Sequence, residues 1–130
     1  MPHFIVEYTD NLKETGQIRE LLMKVNTVLR NRSDLFPIGG IRCRATMVED
    51  YVIADDLEDD AFVHATLKIG SGRTNEEKTE VCEAIFKQLS DHFQPLLDTR
   101  YLALSFELQE FAGAGTYKLN NIHTRFNRSD

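Results

Sequence analysis

The chain lacks any apolar run approaching the roughly 20 residues that a membrane-spanning helix needs, so no membrane partner is expected. Its first residues, Met1-Pro2-His3-Phe4-Ile5-Val6-Glu7, lack the basic start and long apolar core of a secretory signal, which makes the cytoplasm the default location. Cysteine is scarce. Cys43 and Cys82 could form one bridge at most, show no CxxC spacing, and are expected to be reduced and buried as small hydrophobes. The four histidines, His3, His64, His92 and His123, form no HxH or HExxH pair, and no metal site is expected. Positive charge is also short: 15 Lys and Arg stand against 21 Asp and Glu, a formal charge of −6. That balance excludes a general nucleic-acid binder, which needs a basic face to displace counterions from phosphates.

What is present is ordinary globular material. The 130 residues are 42% hydrophobic and 28% charged, which predicts one folded domain over 1–130. The acidic surplus is local. Glu49, Asp50, Asp55, Asp56, Glu58, Asp59 and Asp60 crowd into one stretch without Lys or Arg, and setting these seven aside leaves 14 acids against 15 bases. The arginines of the remaining chain need not be outvoted where they stand.

Hydrophobic periodicity predicts strand–helix–strand twice. Phe4–Tyr8 reads as a strand, and Asn11 with Glu14 as the capping box of a helix carrying Ile18, Leu21, Leu22, Val25, Val28 and Leu29 on one face. Gly39-Gly40 leads into a second strand, where Ile41, Cys43, Ala45 and Met47 alternate with Arg42, Arg44 and Thr46. The acidic connector, about 49–60, encloses a possible short strand at Tyr51-Val52-Ile53-Ala54. Ala61–Ile69 is a third strand, with Ala61, Val63, Ala65, Leu67 and Ile69 toward the helices and Phe62, His64, Thr66 and Lys68 on the other side. Thr74 and Glu77 cap a second helix, with Cys82, Ile85, Phe86, Leu89, Phe93 and Leu96 as its stripe and Pro95 placed to kink or end it. Tyr101–Leu108 is the fourth strand. The tail, about 112–130, reads as a loop with a helical turn or short strand near 121–126.

The expected fold class is α/β, an α+β two-layer sandwich. Units of about 2–48 and 61–108 build one four-stranded mixed sheet, with parallel strands inside each unit and both helices on one face. The open, half-apolar face would pack against another subunit or hold a ligand.

Few residues stand out as chemical. Pro2 becomes an N-terminal secondary amine if Met1 is removed, and an α-amino group titrates at about 7.7–8.0, lower beside cations; the plainer reading is that Pro2 starts a strand. Arg73 opens the second helix after Gly70-Ser71-Gly72, where freed backbone and helix-terminal N–H groups could bind an anion; a solvated turn arginine explains it equally simply. Arg42 and Arg44 project from one strand face as carboxylate binders or as partners of the acidic connector. Asn120, Asn121 and His123 suit either a polar pocket or loop capping. No GK[ST] follows the glycine turn, so nucleotide binding is disfavoured.

Taken in order, Pro2-His3-Phe4-Ile5-Val6-Glu7-Tyr8, Asp10-Asn11, Phe36-Pro37-Ile38-Gly39-Gly40-Ile41-Arg42-Cys43-Arg44, Ala61-Phe62-Val63-His64, Leu67-Lys68-Ile69-Gly70-Ser71-Gly72-Arg73, Leu102-Ala103-Leu104-Ser105-Phe106-Glu107 and Asn120-Asn121-Ile122-His123 resemble the 5-carboxymethyl-2-hydroxymuconate isomerases of the tautomerase superfamily. Each motif is modest, but the ordered set covers nearly the whole chain. The resemblance implies a cytoplasmic homotrimer that works without a cofactor or metal on a small polycarboxylate. It implies Pro2 as catalytic base and Arg42 and Arg73 as substrate-binding residues. The reaction implied is ketonisation of a conjugated dienol to a 2-oxo-3-ene product, in the breakdown of homoprotocatechuate. Superfamily relatives with the same proline decarboxylate or dehalogenate small acids. A non-catalytic trimeric anion-binding module would use the same arginines.

Overall fold

A computed structural model, which describes residues 1–126, resolves each half of the chain into strand, helix, strand. The elements are β1 (His3–Thr9), α1 (Ile18–Arg30), β2 (Arg42–Val48), β3 (Ala61–Gly70), α2 (Asn75–Leu97) and β4 (Leu102–Phe111). The sheet order is β2-β1-β3-β4. β1 runs parallel to β2 and β3 parallel to β4, because a helix long enough to cross over separates the members of each pair. β1 and β3 meet antiparallel at the centre.

The alternation of each strand sends one set of side chains under the helices. Phe4 and Val6 of β1 and Ala61, Val63, Ala65, Leu67 and Ile69 of β3 are buried there, against Leu21, Val25 and Leu29 of α1 and Val81, Ile85, Leu89 and Phe93 of α2. Each such side chain contributes about 1.5–3 kcal/mol when fully buried. The α2 stripe differs from its sequence reading at two places. Phe86 is 43% exposed and Cys82 only half-buried, whereas Val81 is buried. Positions 81, 85, 89 and 93 stay on one face at four-residue spacing, and 82 and 86 lie about 100° further round. Cys43 and Cys82 are free thiols, and burial pushes Cys43 up to about 11, so it stays protonated near neutrality.

Two local expectations are corrected, and a third holds. The Asn11–Glu14 capping box does not form. Residues Asp10–Leu12 make a separate 3₁₀ turn, and α1 starts only at Ile18, after Gln17 in the left-handed conformation. Asn11 is drawn elsewhere: its Oδ1 accepts from Thr9 Oγ1 (2.6 Å), and its Nδ2 donates to Asp59 Oδ1 and to the Asp60 carbonyl, closing the acidic connector onto the end of β1. Tyr51-Val52-Ile53-Ala54 forms no strand; φ is +52° at Ala54 and +62° at Asp56, which breaks extended backbone, and Tyr51 Oη donates to Asp10 instead. Helix α2 carries Pro95 inside its last turn and ends at Leu97, so the proline terminates rather than splits it. The Thr74–Glu77 capping box forms in both directions, at 2.9 and 3.1 Å. The tail makes the expected helical turn, a 3₁₀ helix at Ile122–Arg125. Among the described residues no helix is long and apolar enough to cross a membrane.

Candidate active site

Register brings the chemistry to one end of the uncovered sheet face. On the central strand His3 pairs with Arg42 of β2 and with Lys68 of β3, and the next outward residue, Ile5, pairs with Arg44 and Thr66. These side chains share a face because directly opposed residues point the same way. All of them but Thr66 floor a cleft of about 640 Å³, within the range of small-molecule sites. Met1 borders it, and a segment of the tail, residues 115–119, forms its wall together with Phe111.

Among the described residues every charged side chain that lines the cleft is a cation: Arg42, Arg44, Lys68 and Lys118, without an Asp or Glu. Arg42 is held by its own neighbourhood. Its Nη1 donates to the carbonyls of Gly39 (3.0 Å) and Ile41 (3.2 Å), and its backbone N–H donates to the carbonyl of Pro2 (3.0 Å), which is buried at the start of β1. Arg44 Nη1 donates to Nδ1 of His3 (3.0 Å), which leaves the His3 proton on Nε2. Burial, then Arg44, the N-terminal amine, Arg42 and Lys68 hold the His3 imidazole below its ordinary value, so it is neutral near pH 7. The Met1 amine at the N-terminus is lowered in the same way, by burial first and then by Lys118, Arg73 and Arg42.

The tail is pinned to the turn that precedes β2. Asn120 Nδ2 donates to the Gly39 carbonyl (2.8 Å), the acceptor that Arg42 also uses, and Asn120 Oδ1 accepts from the Ile122 N–H (2.8 Å). Gly39 must be glycine for this approach. A Cβ there would lie 2.7 Å from His123 Nδ1, 2.8 Å from its backbone N and 2.9 Å from its Cα. Gly39→Ala is therefore expected to unseat the tail or to cost about 1–3 kcal/mol of overpacking. Hydrogen exchange over 112–126 together with a thermal melt checks this, and wild-type protection with an unchanged midpoint would refute it.

A family model described as 5-carboxymethyl-2-hydroxymuconate isomerase matches residues 2–126. The chain belongs to this family. It is 43% identical, over 126 residues, to the 5-carboxymethyl-2-hydroxymuconate Delta-isomerase of Escherichia coli, covering 97% of this chain and 99% of that protein. A crystal structure of a 5-carboxymethyl-2-hydroxymuconate isomerase from Deinococcus radiodurans R1 superposes with a TM-score of 0.93 at 51% identity, over 98% of this chain and 95% of that one. A second, of a 5-carboxymethyl-2-hydroxymuconate delta-isomerase, gives 0.86 at 26% identity, over 100% and 95%.

Of the residues singled out for an isomerase of this family, Arg42 lines the cleft, Pro2 is buried behind it between the lining residues Met1 and His3 and joined to Arg42 through the backbone, and Arg73 stands apart from the lining. Arg73 Nη1 donates to the Gly70 carbonyl (3.0 Å) and Nη2 to that of Leu35 (2.7 Å), with the guanidinium 4.8 Å from the centre of the Phe36 ring. Its Nε is buried without a partner among the described residues, an orphan donor of the kind that a ligand or a neighbouring subunit satisfies. The N-terminus of α2 is not set up for an anion, because Thr74 takes the Glu77 N–H and Glu76 and Glu77 occupy the first turn. Lys68, Lys118 and His3 were not picked out as site residues. The alternation of β3 did place Lys68 on the open face, but nothing in the sequence says that the tail folds back to deliver Lys118. Asn120 and His123 act as anchors of that tail.

Proposed function

We propose that this chain is a cofactor-independent isomerase that ketonises 5-carboxymethyl-2-hydroxymuconate in the cytoplasmic breakdown of homoprotocatechuate, with Pro2 as its base. The observation that carries this reading is the acid-free cleft of four cations beside the N-terminus. The substrate named for the family is a tricarboxylate, and unpaired cations at close range repel each other until an anion enters.

Removal of Met1 gives Pro2 a free secondary amine, buried among cations that keep it unprotonated near neutrality. That amine takes the proton of the 2-hydroxyl. The oxygen's electrons form the C2 carbonyl, the C2–C3 double bond moves to C3–C4, and the C4–C5 pair takes the proton back from the ammonium at C5. Substrate and product have the same atoms, so no other reactant is needed. Arg42 binds a carboxylate and stabilises the charge that develops on the dienolate oxygen. Arg73, outside the cleft lining and with its Nε buried, contributes to substrate binding through its charge, which also acts on the N-terminal amine. We also propose a homotrimer, in which the sheet face left bare by both helices is covered by other copies. Intact mass of the purified protein is expected to show a chain starting at Pro2, and that protein is expected to ketonise the dienol in an absorbance assay. A Pro2-terminated chain without such activity would reject the function.

A further inference from the structure

We propose that Lys118 binds the carboxymethyl carboxylate of the substrate and thereby sets the preference for a dienol that carries this arm; the proposal rests on the reaction proposed above. Lys118 is on the cleft wall and, among the described residues, forms no ion pair, whereas Lys78 and Lys87 pair with Glu110 and Asp91 at 2.6 and 2.8 Å. The exposed tail segment that carries it is anchored beyond it and turned on itself before it. Two residues further on, Asn120 is fixed to the Gly39 carbonyl, and toward β4 the Thr116 hydroxyl donates to the carbonyl of Ala112. The tail thus holds a cation over a floor that already carries Arg42 and Lys68 in one row with His3. Strands lie about 4.8 Å apart, so Arg42 and Lys68, two strands apart, span roughly 10 Å. A cation on the wall and cations on the floor can meet carboxylates on different branches of one molecule at once.

The choice of branch follows from the proton. Ketonisation delivers it to C5, so the amine lies against C5, and the carboxymethyl group is attached to that carbon. Met1 borders the same cleft as Lys118, and Lys118 stands on the wall, off the floor row of Arg42, His3 and Lys68. The floor row suits the carboxylates at the two ends of the main chain, and the cation off that row is the one left for the substituent that branches at C5. Arg42, tethered at Gly39 and Ile41 on the β2 side, is left for a carboxylate of the main chain.

The test compares Lys118→Met and Lys118→Arg with wild type on two dienols, 5-carboxymethyl-2-hydroxymuconate and 2-hydroxymuconate, which lacks the arm. At a pH well above the acid limb, where the amine is unprotonated in every variant, Lys118→Met is expected to lower kcat/KM on the first by roughly 10- to 100-fold, mainly through KM, and to leave the second within about twofold. Lys118→Arg is expected to restore most of the loss. Equal losses on both substrates, or none on either, would overturn the proposal. A wild type that turns over neither dienol rejects the isomerase reading instead. Calorimetry with tricarballylate, a saturated tricarboxylate, against glutarate then decides on Lys118: a tenfold weaker affinity of Lys118→Met for tricarballylate alone keeps it as the ligand of a third carboxylate, and equal affinities remove it.

Discussion

Pro2→Ala is expected to lower kcat/KM for the ketonisation by about 10²–10⁴-fold, the usual contribution of a positioned general base. The fold should survive, because the Pro2 carbonyl, which accepts from the Arg42 N–H, is kept by any residue. What alanine loses is the ring that fixes the direction of the amine lone pair. A variant that retains Met1 ahead of Pro2 is expected to lose as much, since an amide nitrogen has no basic lone pair. Steady-state kinetics on protein of verified mass, with circular dichroism as a control, reads both variants; a wild-type rate in either would remove Pro2 as the base. The pH dependence follows by sign. Burial and three cations lower the Met1 amine, the same surroundings are expected to act on Pro2 once Met1 is removed, and the base works only when unprotonated. Activity should therefore persist below the ordinary α-amino range of about 7.7–8.0 and fall only as pH drops through the lowered value.

Arg42→Met is expected to lower kcat/KM by roughly 10²–10³-fold, with most of the loss in KM, because removing one partner of a desolvated charge pair costs about 2–5 kcal/mol. Arg42 is the floor cation whose direction is set by the protein, through the Gly39 and Ile41 carbonyls, so little order has to be imposed when substrate arrives. Arg42→Lys keeps the charge but loses both the tether and the planar fork, and should fall between wild type and Arg42→Met. The same substitution removes one of the cations that lower the amine, so the acid limb of the pH profile should move upward in Arg42→Met. Unchanged KM and an unmoved acid limb together would reject Arg42 as a ligand.

Much of this was legible before any fold. Period-two alternation placed Arg42 and Arg44 on one face of their strand and Lys68 on the open face of the sheet, and the structure brings all three to that open face, because side-chain direction along a strand is local geometry. The Thr74–Glu77 box was legible for the same reason: its partners are three residues apart. The Asn11–Glu14 box has the same spacing and fails, because Asn11 has better partners 48 and 49 residues away at Asp59 and Asp60. Local signals hold until a distant group competes for the same atoms.

By itself, then, the sequence determined the repeated strand–helix–strand plan, the core faces and the sign of each candidate side chain, all of which follow from near neighbours. Tertiary structure decided what sits beside what. It separated Arg73 from the cleft wall by giving its donors to Leu35 and Gly70, and it folded the tail back so that Lys118 joined the wall. It also settled the charge. The seven acids of the connector start after Val48, which pairs with Thr9, and end at Asp60, held to Asn11; the cations sit at the His3 end of the same strand. At about 3.3 Å per residue, β1 keeps the two ends roughly 20 Å apart, more than twice the screening length of about 8 Å in physiological salt. A chain of net charge −6 can therefore present a wholly cationic cleft, because at that distance the acids are screened and only the neighbours of the cleft count.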